Sequence, residues 1–202
     1  MSTTHSFRLA MLLVSALWLS GCGGSGSEGT PPPTPPVVTD FTPTSPRLSK
    51  SPLINDLQLL SAPEMGGRKL GSPGNEAART LLEQRFTSLG LTALGASYRI
   101  PFTSPYGNGV NVVGYLPGSQ FPDEFILLTA HFDHIGSKNG QVVCGADDNA
   151  SGTAAVLQLA EYLKNHPPAR SVVFGLFDGE EAGLLGSEAF ASAPPAPLTL
   201  AK

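Results

Sequence analysis

Three short polar clusters break the second half of the chain: HFDH at 131–134, GADDN at 145–149 and DGEE at 178–181. His131 and Asp133 are two residues apart. On an extended strand they point the same way, so the carboxylate can orient the imidazole. Asp147 and Asp148 stand side by side just before a run that reads as a helix. Their plain use is to cap that helix, where Asp and Asn accept hydrogen bonds from free N–H groups. A second adjacent carboxylate adds repulsion, and a cation would relieve it. Glu180 and Glu181 read alone as a solvated turn. Beside a metal, one of them could be a ligand while its neighbour, turned the other way, handles a proton. Taken together, His, Asp and Glu at neighbouring strand ends are the donor types that bind Zn²⁺.

These clusters need elements to hold them together. SPLINDLQLLS reads as a short amphipathic helix. GNEAARTLLEQRFTSLG reads as a longer one, with Ala78, Leu81, Leu82, Arg85, Phe86 and Leu89 at helical spacing and Gly90 as its stop. ASYRIPF and GVNVVGYLPG alternate like strands. DEFILLTAHFD has a continuous apolar centre, as a strand covered on both faces would. SGTAAVLQLAEYLKNHPP predicts a helix that ends at Pro167, ARSVVFGLFDGEE a buried strand, and GLLGSEAFAS a short helix. Strands alternating with helices predict an α/β fold: a mixed, mostly parallel sheet with helices on both faces. In such sheets ligands gather at the carboxyl ends of the strands, where all three clusters fall.

Other chemistries find less support. The chain contains no HExxH, no GxSxG on a strand–turn–helix, and no glycine run with dinucleotide-binding spacing. A formal net charge of −4 gives no electrostatic reason to expect nucleic acid as a partner.

Three segments resemble the consecutive signatures of the co-catalytic di-zinc aminopeptidases: LLTAHFDHIG, GADDNASGTAAVLQLAEYL and VVFGLFDGEEAGLLGSEAFA. That family includes bacterial leucyl aminopeptidases and glutamate carboxypeptidase, with glutaminyl cyclases as relatives. GGRKLGSPGNEAARTLLEQRFTSLGL resembles the usual lead-in. The resemblance implies two zinc ions and hydrolysis of peptide bonds by a metal-activated water. It makes His131 a ligand of one zinc, Asp148 the bridge between both, and Glu181 the carboxylate ligand of the other. Asp133 becomes the carboxylate behind His131 and Glu180 the general base. It also implies a cis peptide bond after Asp148, and gives His134 and Asp147 no ligand role. Asp147 and Ser151 would then shape and cap the helix start.

The family pattern asks for two more ligands, an Asp and later a His. After Glu181 the chain offers Glu188 as its only carboxylate side chain and no His. The expectation is that the C-terminal part of the domain is missing, so that this chain alone binds zinc weakly and is inactive or unstable. The alternatives are a non-catalytic remnant of the same fold and a glutaminyl cyclase-like relative.

The N-terminal region reads differently. Arg8 precedes LAMLLVSALWLS, an apolar run too short to span a bilayer, and small residues follow it, as in a secretory signal. LSGC, ending at Cys22, resembles the lipobox of bacterial lipoproteins. This implies a signal peptide over residues 1–21, lipid on Cys22 and an exported protein tethered to the cell envelope. Residues 22–50, rich in Gly, Ser, Pro and Thr, read as a spacer, and residues 51–202 as the N-terminal part of the catalytic domain. With Cys22 acylated, Cys144 has no partner for an intramolecular disulfide.

Overall fold

The computed structural model describes residues 48–198. The expected signal peptide, Cys22 and nearly all of the expected spacer lie outside the described residues.

Helix α1 (Lys50–Leu60) and helix α2 (Pro73–Leu89) precede the sheet. The ends of α2 are set by local chemistry. Ser72 accepts a hydrogen bond from Asn75 N at 3.2 Å, Pro73 opens the first turn, and Gly90 closes the helix at φ +70°. Ala78, Leu82, Phe86 and Leu89 form its buried stripe. Arg85 leaves that stripe to hold the buried Asp56 of α1, with both contacts at 2.9 Å.

Five strands form the main sheet: β1 (Thr92–Ala93), β2 (Arg99–Ser104), β3 (Gly107–Leu116), β4 (Phe121–His131) and β7 (Arg170–Phe177). Two-residue strands β5 (Ser137–Lys138) and β6 (Gln141–Val142) make a separate hairpin. In the main sheet β7 lies between β3 and β4, while β1 and β2 share the far edge of β3. Helix α3 (Ser151–Asn165) carries the chain from β4 to its parallel neighbour β7. The sheet is mixed, as expected, and its parallel majority is not found among the described residues. Only β4–β7 is parallel; β1, β2 and β7 all pair antiparallel to β3. The short turn from Ser104 to Gly107 enforces a hairpin there, and only the α3 crossover is long enough for a parallel return.

Both faces of β7 are covered. Val172, Phe174 and Leu176 pack in one core with residues of α1, α2 and α3. Val173 and Phe177 pack in a second core with Phe190 of helix α4 (Leu185–Ser192). Helices thus lie on both faces. Strand β4 departs from its apolar pattern: Ile126 is 46% exposed and Leu127 37%. It pairs with β7 on one side, and no strand among the described residues pairs its other side.

Candidate metal centre

The parallel pairing of β4 and β7 places His131 opposite Phe177, so both strands deliver their polar clusters to one edge. Between them in sequence, residues 146–150 form a wide turn in which Asp148 (φ −117°, ψ 97°) and Asn149 (φ −137°, ψ 45°) leave helical geometry. The Asp148–Asn149 peptide bond is cis. Gly145, at φ +59°, begins this turn against the His134 ring, where a Cβ would come within 2.6 Å of the imidazole. Thr153 of α3 donates to His131 O at 2.9 Å and ties the helix to the strand end.

The helix start corrects one expectation. Neither Asp147 nor the Ser151 side chain caps α3. Asn149 Oδ1 accepts from Gly152 N at 3.0 Å, and Ser151 instead donates back to Asp147 O at 2.8 Å. The non-helical backbone at Asn149 lets its side chain reach a free N–H of the first turn.

The sequence-predicted residues converge. Asp148 Oδ1 lies 3.0 Å from His131 Nε2, and Glu180 Oε2 lies 3.9 Å from the same nitrogen. Buried Asp133 sits behind them. It accepts from Glu180 N at 3.0 Å and Glu181 N at 3.2 Å, so it holds the acidic turn as well as facing His131 Nδ1 at 3.5 Å. Burial disfavours a charged His131. The hydrogen bonding and charge of Asp133, with the charges of Glu180 and Asp148, outweigh it and raise the pKa above its ordinary value.

Two contributors were not anticipated. His134 Nδ1 lies 2.6 Å from Glu181 Oε1, and His134, Asp148 and Glu181 offer donor atoms within 4.8 Å of one another. The signal was present in the i, i+3 spacing of the two histidines in HFDH. Asp178 is wholly buried and anchors the DGEE turn. Its carboxylate accepts from Asn75 Nδ2 at 2.8 Å and Val110 N at 3.1 Å, and its own N–H donates to Asn111 Oδ1 at 3.0 Å. Burial raises its pKa despite the hydrogen bonds from Val110 and Asn75.

The donor set suits a zinc-type cation. Two imidazoles and three carboxylates meet at one mouth, and buried His131 Nδ1 has only Asp133 to turn to, which leaves Nε2 for a cation. Among the described residues one group of three such donors closes within ligand range. Cavities flank it on two sides: about 290 Å³ beside His131, Asn149, Glu180 and Ser187, and about 260 Å³ beside Lys69, Leu70, His134 and Glu181.

Comparison with known proteins agrees with this chemistry. Residues 111–201, which hold all three clusters, match the model of peptidase family M28. That match takes in a little under half of the chain and is a similarity to the family over those residues. Leupeptin-inactivating enzyme 1 of Streptomyces exfoliatus is 27% identical over 198 residues, covering 97% of this chain and 41% of its own length. A probable zinc metalloprotease of Pyrenophora tritici-repentis is 36% identical over 99 residues, covering 46% of this chain and 19% of its own. The chain thus spans less than half the length of either relative. Among solved structures, a Zn-dependent exopeptidase from Parabacteroides distasonis superposes with TM-score 0.62 at 20% identity, over 75% of this chain and 58% of that one. Tannerella forsythia glutaminyl cyclase gives TM-score 0.62 at 20% identity, over 77% and 60%. These two share the fold of the superposed residues.

Proposed function

We propose that this protein is an M28-type, zinc-dependent exopeptidase that hydrolyses the N-terminal peptide bond of its substrates. One observation carries the reading: Asp148 reaches both His131 and the His134–Glu181 group. A carboxylate shared by two sets of donors is what a two-ion site requires. His131, Asp148 and Glu181 would hold the metal, and the position of Asp148 between the two donor sets would let it serve both. Bound zinc supplies a Lewis acid and lowers the pKa of water towards about 7.

The chain's own groups do the rest. Glu180 Oε2 faces the same mouth as His131, and Asp133 accepts from its backbone N–H, which supports Glu180 as the group that takes a proton from water. It takes that proton as the scissile carbonyl is attacked and returns it to the leaving amine. Asp133 keeps the His131 ring and the Glu180–Glu181 turn in one arrangement. The family resemblance asks for a further Asp and His. Beyond Glu181 this chain has only Glu188 as a carboxylate side chain. In this reading those two donors come from outside these residues.

The test is zinc content together with release of N-terminal residues from aminoacyl arylamides and short peptides, using protein purified from its own cells. Two zinc ions per protein and release that stops on N-acetylation are expected. A folded, zinc-loaded protein that leaves every such substrate intact would overturn the reading. A glutaminyl cyclase-like activity is the second reading, favoured by the shared fold. It predicts ammonia release from peptides beginning with glutamine and no amino-acid release.

Export and lipidation at Cys22 complete the proposal and place the protein on the cell envelope, tethered by its acylated N-terminus. Radiolabelled palmitate should enter the protein and be lost in Cys22→Ser. Label retained in that variant would remove the anchor from the proposal.

A further inference from the structure

Beneath the metal centre lies a charged side chain that the chemistry above does not use. Arg68 is fully buried at the end of the short helical turn Pro63–Arg68. Its guanidinium donates to four main-chain carbonyls from three separate segments: Leu60, Phe132 at 2.6 Å, Cys144 at 2.8 Å and Gly145 at 2.9 Å. Phe132 stands between His131 and Asp133. Gly145 opens the turn that carries Asp148. The Arg68 carbonyl in turn accepts from His134 N at 3.3 Å and from Asn75 Nδ2 at 3.1 Å.

We propose that Arg68 is a positioning residue for the metal centre, which clips the segment bearing His131 to the segment bearing Asp148. The inference rests on the zinc-site reading above. Burying a cation is costly, and an apolar residue of similar size is often at least as stabilising. A role beyond bulk stability is therefore needed to account for it. Residues 143–145 lie outside any strand ladder, and Phe132 lies just past the end of β4, so the clipped carbonyls need partners from elsewhere. A guanidinium can serve several at once because its five N–H donors lie in one rigid plane. The buried positive charge also lies near Asp133 and Asp148, whose charges act on it, and so eases the crowding of carboxylates at the mouth.

Arg68→Lys and Arg68→Gly in the full 202-residue chain test this. Glycine suits the φ of +47° at this position, so the side chain is removed without adding backbone strain. Zinc affinity is read by competition with a chromogenic chelator, and amide exchange is read in metal-free protein. Zinc affinity should fall roughly 10–100-fold, the range for groups that orient metal ligands. Exchange should quicken at residues 132–134 and 145–149 while β7 stays protected. Ethylguanidinium added to Arg68→Gly should restore part of both. Unchanged zinc affinity in a folded Arg68→Lys would overturn the proposal. So would loss of protection in β7 equal to that at the loops, or failure of both variants to fold, since either assigns Arg68 to global stability. Should the unaltered 202-residue chain bind no zinc, the exchange pattern alone decides whether the clip exists, and the zinc reading stands or falls separately on the protein purified from its own cells.

Discussion

Strands β4 and β7 lie side by side, parallel, with apolar centres of similar composition, yet they occupy opposite environments. FILLTAH of β4 is half exposed on the sheet edge, whereas SVVFGLF of β7 is buried on both faces between β3 and β4. Each ends in residues of the metal centre. The difference teaches that an apolar run reports a strand's capacity for burial, while its neighbours decide how much of that capacity is used.

The sharpest test of this pair lies at the two strand ends. Glu180→Gln, just past β7, should lower turnover by about 10²–10⁴-fold while zinc affinity stays near that of the parent, as for loss of a general base. His131→Ala, at the end of β4, should lose zinc itself. Equal loss of zinc in both variants would erase the division of roles.

Stability gives the next contrast. Phe174→Ala in β7 should cost about 3–5 kcal/mol, because its site is closed on every side. Leu127→Ala in β4 should cost no more than about 1.5 kcal/mol, since its side chain already meets solvent. Urea unfolding of both variants reads the difference. Similar losses would mean that β4 is covered in solution.

The smallest effect concerns Asp178 at the end of β7. Its folded pKa is raised by burial, so the folded state keeps a proton that the unfolded chain gives up near 3.8. This contribution to stability is complete below that value and is lost as pH rises through the raised folded pKa. Stability of Asp178→Asn should vary less over that window, by urea unfolding from pH 3 upward. An unchanged slope would mean that the Asn75 and Val110 bonds offset the burial.

Much of this molecule was legible from local pattern. Helix α2 announces its end through Gly90 and its buried face through a 3.6-residue period, while its start at Ser72 and Pro73 was seen only in the structure. The polar clusters fall at strand ends because an α/β sheet leaves its loops there. These signals act within a few residues of each other, so no distant contact is needed to read them. The three polar clusters were legible as residue types that share one chemistry, whereas the choice of Asp148 over Asp147 and the separate roles of Glu180 and Glu181 came from the family resemblance.

What the sequence alone determined, then, is where the candidate donor clusters lie and which segments are helix or strand. Tertiary structure decided the rest. The exposure of β4 depends on pairing, since one edge meets β7 and the other meets no described strand. The cap of α3 passes to Asn149 because the backbone of the preceding turn leaves helical geometry there. His134 reaches Glu181 across 47 positions, and Arg68 joins carbonyls up to 77 positions away. Contacts of that span leave no periodicity in the chain. They exist only once the sheet has brought its ends together.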